Sequence, residues 1–141
     1  METSARNQLP GRIARVTLGA VNAEVELELE GGVALVAIVT NASAERLGLA
    51  EGGRAWALVK ASSVILAPAD EVGRTSARNR LCGRVSASRE GAVNGEVSLT
   101  LDGGGEITAI VTNESLRRLG LHQGVSACAL IKASSIILAV D

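Results

Sequence analysis

Apolar and polar residues alternate along much of this chain, and glycine marks most of the places where the alternation stops. Val25, Leu27 and Leu29 are interleaved with Glu24, Glu26, Glu28 and Glu30. That period of two predicts a half-buried strand with an acidic outer face. Gly31-Gly32 then predicts a hairpin. Val33 to Val39 is a nearly continuous apolar strand, after which Asn41 is placed to cap a short helix that Gly48 ends. A long final strand is expected from Ala55 to Ala67, and a long first one from Ala5 to Leu18, bent at Gly11. Along the final strand, Leu58, Val64 and Leu66 fall on one side while Ala57, Val59 and Ile65 fall on the other. Both faces are apolar, as they are from Val33 to Val39. A small barrel has one interior, so the second face should meet the other half of the chain, a second copy, or both.

The whole pattern is written twice. Ser4-Ala5-Arg6-Asn7 returns as Ser76-Ala77-Arg78-Asn79, an offset of 72 positions. At the same offset Gly19-Ala20-Val21-Asn22 returns as Gly91-Ala92-Val93-Asn94, and Lys60-Ala61-Ser62-Ser63 as Lys132-Ala133-Ser134-Ser135. Ala37 to Asn41 matches Ala109 to Asn113, and Gly48 matches Gly120. The alignment is gapless, with more than half its positions identical, so the chain is a tandem duplication. Two modules, residues 1–69 and 73–141, follow, joined by a stretch from Pro68 to Arg74 that is barely a linker. Five strands with one short helix between the third and fourth predict an all-β fold of two OB-like barrels.

Composition removes several function classes. There is no Phe or Tyr and a single Trp, Trp56, so the core must be built from Val, Ile, Leu and Ala. Each module alone would be marginal. A net charge of −1 provides no basic field for nucleic acid and no polybasic membrane patch. No apolar run is long enough to span a bilayer, and the polar start Met1-Glu2-Thr3-Ser4 is unlike a signal peptide, which makes the cytoplasm the default compartment. Cys82 and Cys128 align with Pro10 and Trp56, so they lie outside the repeated design and read as small core or surface residues rather than a disulfide framework or metal site. His122, the one histidine, aligns with Ala50 and reads as a solvated loop residue.

No catalytic constellation is present: no Gly-x-Ser-x-Gly, no Walker-type loop, no metal-ligand cluster, no repeated histidine. The chain does not read as an enzyme. Candidate chemistry lies in the segments that both copies retain. Ser4, Ala5, Arg6 and Asn7 place a hydroxyl, a guanidinium and an amide within a short extended stretch. Lys60 and Ser62, with Ala61 between them, are expected on one face of a strand, about 7 Å apart. A lysine there is either partnered or snorkels to solvent. Ala20, Val21 and Asn22 form a small-residue turn whose uncovered N–H groups make an anion seat, or else an ordinary turn. The second copy repeats these with Ser76, Ala77, Arg78, Asn79, with Lys132, Ala133, Ser134, and with Ala92, Val93, Asn94. Donors abound and acceptors are few, which suits an oxyanion and suits a metal cation badly.

With four strings in order, twice over, the chain resembles the molbindins, whose module is called the Mop or TOBE domain, in their two-module cytoplasmic form. The strings are Ser-Ala-Arg-Asn, Gly-Ala-Val-Asn-(Ala/Gly)-Glu-Val, Ile-Val-Thr-Asn and Lys-Ala-Ser-Ser. The resemblance implies OB-like barrels, a homotrimer, and molybdate or tungstate bound between subunits by the three segments named above in each module. It implies no catalytic cofactor, while the charge and aromatic content predict no membrane or nucleic-acid partner. The same module occurs attached to transporter ATPases and transcription regulators; the chain shows neither, so storage or buffering of the oxyanion for molybdenum homeostasis is the expected role. Ala23 becomes Gly95, expected only to loosen a turn, and Trp56 becomes Cys128, so a role for the indole would not repeat. The competing readings are an OB-fold nucleic-acid binder, which would need the aromatic platform and basic groove missing here, and an oligomerisation module without ligand.

Overall fold

The alternating segments fold as strands, and glycines with positive φ turn the chain between them. The computed structural model describes residues 1–141. The first repeat contains β1 (Asn7–Leu18), β2 (Asn22–Leu29), β3 (Ala34–Thr40), α1 (Asn41–Leu47), β4 (Arg54–Val59) and β5 (Ile65–Pro68). The second contains β6 (Asn79–Glu90), β7 (Asn94–Leu101), β8 (Glu106–Thr112), α2 (Asn113–Arg118), β9 (Ser126–Ile131) and β10 (Ile137–Ala139). Along β2, Val25, Leu27 and Leu29 are buried and the intervening glutamates face outward. Gly31 and Gly32 adopt φ of 84° and 82° in the following turn, a region closed to most side chains.

Four local expectations are corrected. The long final strand is two strands, because a single 3-10 turn over Ala61–Ser63, repeated at Ala133–Ser135, bends the chain between β4 and β5. Lys60 therefore opens a corner and Ser62 lies within it, instead of the two sharing a strand face. The irregularity in β1 is a bulge between Ile13 and Arg15, not a bend at Gly11. Gly11 instead lets β2 approach, since a Cβ there would stand 3.0 Å from the Glu28 carbonyl oxygen. The helix caps are Thr40 and Thr112, whose hydroxyls accept from the Ser43 and Ser115 N–H groups, so Asn41 and Asn113 are first helical residues.

The strands form two curled five-stranded sheets, half-barrels with orders β10-β4-β1-β2-β3 and β5-β9-β6-β7-β8. Each repeat supplies four consecutive strands to one sheet and its fifth strand to the other. β10 pairs antiparallel with β4 through Ile137↔Leu58 and Ala139↔Trp56, and β5 pairs with β9 through Ile65↔Leu130 and Ala67↔Cys128. The exchange gives the doubly apolar strands their second partner within the chain. One continuous core of 28 residues runs through both repeats, from Ile13, Leu27 and Leu35 to Leu99, Ile107 and Ile131. No helix is long and apolar enough to cross a membrane.

The two departures between repeats are structural. Cys82 and Cys128 face each other across β6 and β9 and form a disulfide, against the expectation of two unbonded residues. Pro10 and Trp56 hold the same register between β1 and β4, so this position joins the strands covalently in one sheet only. Gly95 is tight rather than loose: a Cβ would stand 2.7 Å from the Arg89 carbonyl oxygen and 2.8 Å from Leu116 Cδ1. The disulfide closes a separation of 46 residues, which in the chain-entropy model is worth up to about 4 kcal/mol. The expected outcome of reducing it is a lower melting temperature, abolished in Cys82→Ala/Cys128→Ala. An unchanged melt, or two free thiols in the unreduced protein by thiol titration, would remove the cross-link from the account.

Candidate functional site

Two clefts of ≈ 490 Å³ and ≈ 450 Å³ lie where the repeats meet. The first takes Thr3, Ser4, Ala5 and Arg6 from the segment before β1, then Leu58, Lys60, Ala61 and Ser62 from the corner after β4, and finally Ile110 and Ile137 from the other repeat. The second takes Thr75, Ser76, Ala77, Arg78, Leu130, Lys132, Ala133 and Ser134, with Ile38 and Ile65 from the first repeat. Every lining residue of one has its counterpart in the other at the repeat offset, identical in type. Two of the three expected segments thus come together in each half. Thr3 and Thr75, Leu58 and Leu130, and the cross-repeat isoleucines were missed. The isoleucines had a signal, since Ile38 and Ile110 belong to strands apolar on both faces, but nothing in the sequence assigned that face to a cleft.

The corner after β4 is what aims donors into the cleft. Its 3-10 turn uses the N–H groups of Ser63 and Val64, which donate to the Lys60 and Ala61 carbonyls. The N–H groups of Ala61 and Ser62 take no part in the turn's own hydrogen bonds, as the first turn of any helix leaves them. Lys60 and Lys132 are exposed and form no ion pair, so the ammonium groups reach solvent at the cleft rather than being buried. The two arginines are compensated across the repeats: Arg6 pairs with Glu96, and Arg78 with Glu24. Arg78 holds the Glu24 carboxyl below its usual range through their hydrogen bond, burial working against it and the Arg15 charge adding a little. Each cleft is therefore a set of N–H and O–H donors around one uncompensated positive charge.

Asn7 and Asn79 do not line either cleft. Their side chains are buried, 3% and 2% exposed, and bond to main-chain groups. The third expected segment also lies apart from the clefts, at the outer end of each sheet. In the turn after β1, Gly19 N–H donates to the Asn22 carbonyl at 2.8 Å and Asn41 N–H to the Val21 carbonyl at 2.8 Å. The N–H groups of Ala20 and Val21 donate to nothing in the chain, as do those of Ala92 and Val93. Asn22 and Asn94 are exposed, and Val21 and Val93 project into solvent at 69% and 72% exposure. The donors expected of an anion seat are present there, and Asn22 lines a separate cleft of ≈ 350 Å³ with Thr40, Ser43 and Arg46 of its own repeat and Ser134 of the other.

A family model described as the TOBE domain matches residues 3–66 and 75–138. The molybdenum-pterin-binding protein MopA of Rhodobacter capsulatus is 52% identical over 140 residues, 99% of this chain and 53% of the relative. The molybdenum transport protein ModE of Azotobacter vinelandii is 46% identical over 140 residues, 99% of this chain and 52% of the relative. The chain thus spans about half the length of the curated relatives it matches. Among solved structures, the cytoplasmic molybdate-binding protein ModG, in a crystal form with molybdate bound, superposes with a TM-score of 0.95 at 50% identity, covering 100% of both chains.

The ion pair between repeats has a pH signature. Because the Glu24 carboxyl is held low in the folded chain, the pair stabilises the fold above the ordinary glutamate value, about 4.3, and that contribution is lost as pH falls through the depressed folded value. The melting temperature of the wild type is expected to drop more steeply below about pH 4.3 than that of Glu24→Gln. Parallel pH profiles for the two proteins would show that the pair carries no folding energy.

Proposed function

The chain belongs to the TOBE-domain family, and from that premise we propose that it binds the tetrahedral oxyanion molybdate, with tungstate its chemical equivalent, and stores or buffers it in the cytoplasm. The observation that carries this reading is the pair of matched clefts, each a ring of donors with one free ammonium, in a fold that superposes on a molybdate-bound relative. A fully deprotonated oxyanion only accepts hydrogen bonds, so a lining rich in donors, with a free ammonium and no carboxylate among its residues, fits it and a cation is disfavoured. Ser4 to Arg6 and Lys60 to Ser62, with Ser76 to Arg78 and Lys132 to Ser134, are the contacts proposed for the clefts. Ala20 to Asn22 and Ala92 to Asn94 are proposed as a second class of seat, using main-chain N–H groups. In a reducing cytoplasm Cys82 and Cys128 would stand as thiols; neither belongs to a cleft lining.

Oligomerisation completes the proposal. Clefts of this size match those of drug-sized ligands, about 300–1,000 Å³, and are far too open for one small anion. Ile65 and Ile137 stand on their rims 63% and 65% exposed, and Leu18, Val21 and Val93 add further exposed apolar surface. A homotrimer would cover these side chains and pool donors from neighbouring chains around each anion. Light scattering at micromolar concentration is expected to return three chains per particle, and a monomer would sink the assembly. With the ammonium groups buried against the anion in the assembled trimer, Lys60→Ala and Lys132→Ala are expected to weaken molybdate binding, measured calorimetrically, by about 2–5 kcal/mol with little change in the ligand-free melt; unchanged affinity with a lowered melt would make the lysines structural. Thermal melts in molybdate, sulfate and phosphate at matched ionic strength test specificity. Molybdate alone is expected to stabilise, by roughly 2.7 kcal/mol per site at a hundredfold excess over Kd, whereas equal rises with all three anions would reduce the effect to salt.

A further inference from the structure

We propose that Asn7 and Asn79 are positioning residues, each tying together from one buried amide the three main-chain segments that wall an oxyanion cleft. The inference rests on the reading of the clefts as oxyanion sites and assigns to these side chains a role other than contact. Asn7 Nδ2 donates to the Val59 carbonyl at 3.1 Å and to the Thr108 carbonyl at 2.8 Å, while Asn7 Oδ1 accepts from the Thr108 N–H at 2.7 Å. Asn79 repeats the arrangement. Its Nδ2 donates to the Ile131 carbonyl at 3.2 Å and the Val36 carbonyl at 2.8 Å, and its Oδ1 accepts from the Val36 N–H at 2.7 Å.

The positions of the partners are what make the clamp bear on the cleft. Asn7 directly follows Arg6, Val59 directly precedes Lys60, and Thr108 lies two residues before Ile110 on the edge strand of the other repeat. All three walls are thus within two residues of one amide. The carboxamide takes both outward main-chain groups of an edge-strand residue, as a paired strand would. With two donors and an acceptor engaged, it has one N–H for each carbonyl and none left for a ligand. Removing it would take one partner each from the Thr108 N–H and from the Val59 and Thr108 carbonyls in a partly buried setting, so the walls would shift to recover those bonds. A binding constellation loses affinity when its supporting groups let it drift by about an ångström.

The duplication supplies an internal control, because each asparagine serves one cleft. In the full-length chain, Asn7→Ala is expected to raise amide hydrogen exchange at Lys60–Ser63 and at Glu106–Ile110, while Lys132–Ser135 and Ala34–Ile38 stay as in the wild type. Titration with sodium molybdate is expected to show affinity at one cleft reduced at least tenfold and the other unchanged; Asn79→Ala should show the mirror image. Leu27→Ala, a core truncation that also lowers the melt, should spare both clefts. If Asn7→Ala fails to fold, Asn7→Asp, which retains the acceptor and loses both donors, is read the same way. Wild-type affinity at both clefts in an asparagine variant, or exchange that rises evenly over both repeats, would overturn the proposal. A wild type that takes up no molybdate would refute the oxyanion reading instead, leaving the exchange pattern to decide the clamp.

Discussion

A strand at the edge of a sheet carries a row of N–H and C=O groups that must be paired or hydrated, and this molecule meets that demand by making each repeat finish the other. β10 closes the open side of β4, and β5 closes that of β9. At the opposite edges, where β3 and β8 have no strand beyond them, a buried asparagine stands in for one at Val36 and Thr108. The exchanged strands are only four and three residues long, too short to hold two barrels together by ladder bonds alone. Apolar side chains in them and just before them carry the rest: Val64, Leu66, Ile136 and Leu138 enter the common core. With no Phe or Tyr to add bulk, a shared core is also the way two small units bury enough surface to be stable.

The clefts are a by-product of that exchange in geometry, though not in chemistry. Wherever β4 turns the corner toward the other repeat, the segment before β1 lies alongside it and an isoleucine from the opposite edge strand closes the far wall. Such a groove needs no particular polar residue. What fills it is nonetheless one lysine, one arginine and a hydroxyl on either side, with the arginine's charge balanced by a glutamate from the other repeat. The balance leaves a net single positive charge per cleft, with the arginine's other N–H groups still available. A dianion entering there must rely on neutral donors as much as on charge, and neutral donors are sensitive to distance. On the proposed oxyanion reading, that would place the discrimination in the walls and their spacing rather than in a general electrostatic attraction.

The sequence shows the repeat, the strand order, the hairpin glycines and the segments that converge, because each is local or duplicated. It hides the exchange. Ile65-Leu66-Ala67 and Ile137-Leu138-Ala139 are identical, so either tail would fit either groove, and no side-chain pattern separates closing on oneself from closing on one's neighbour. The doubly apolar strands said only that a second surface existed. Asn7 was legible as important, being retained in both copies beside Arg6, but burial decides between a ligand-facing amide and a structural one, and burial depends on a strand 101 residues away. Cys82 and Cys128 were opaque for the converse reason: they are not repeated, and their pairing appears only once β6 and β9 are set in register. The corner at Ala61–Ser63 was read through as strand because small and hydroxyl residues there do not interrupt the period of two on either side.

Divergence between the repeats sharpens the functional argument. Had the duplication been kept only for strand exchange and a common core, the cleft linings would have drifted like the rest of the surface. Pro10 and Trp56 have become Cys82 and Cys128, Glu26 and Glu28 of β2 have become Ser98 and Thr100 in β7, and Ala23 has become Gly95. Little more than half of the aligned positions agree. Yet all 10 residues around one cleft agree in type with the 10 around the other, including exposed Ser4, Arg6, Lys60 and Ser62, which no packing constraint fixes. The one charge of β2 that survives in β7, Glu24 as Glu96, is the one paired with a cleft arginine. Packing explains why Leu27 and Leu99 match; it does not explain why an exposed lysine and an exposed serine do. Agreement that takes in exposed donors and the carboxylate balancing the arginine is what the proposed reading, a ligand received in the same way by both clefts, would require.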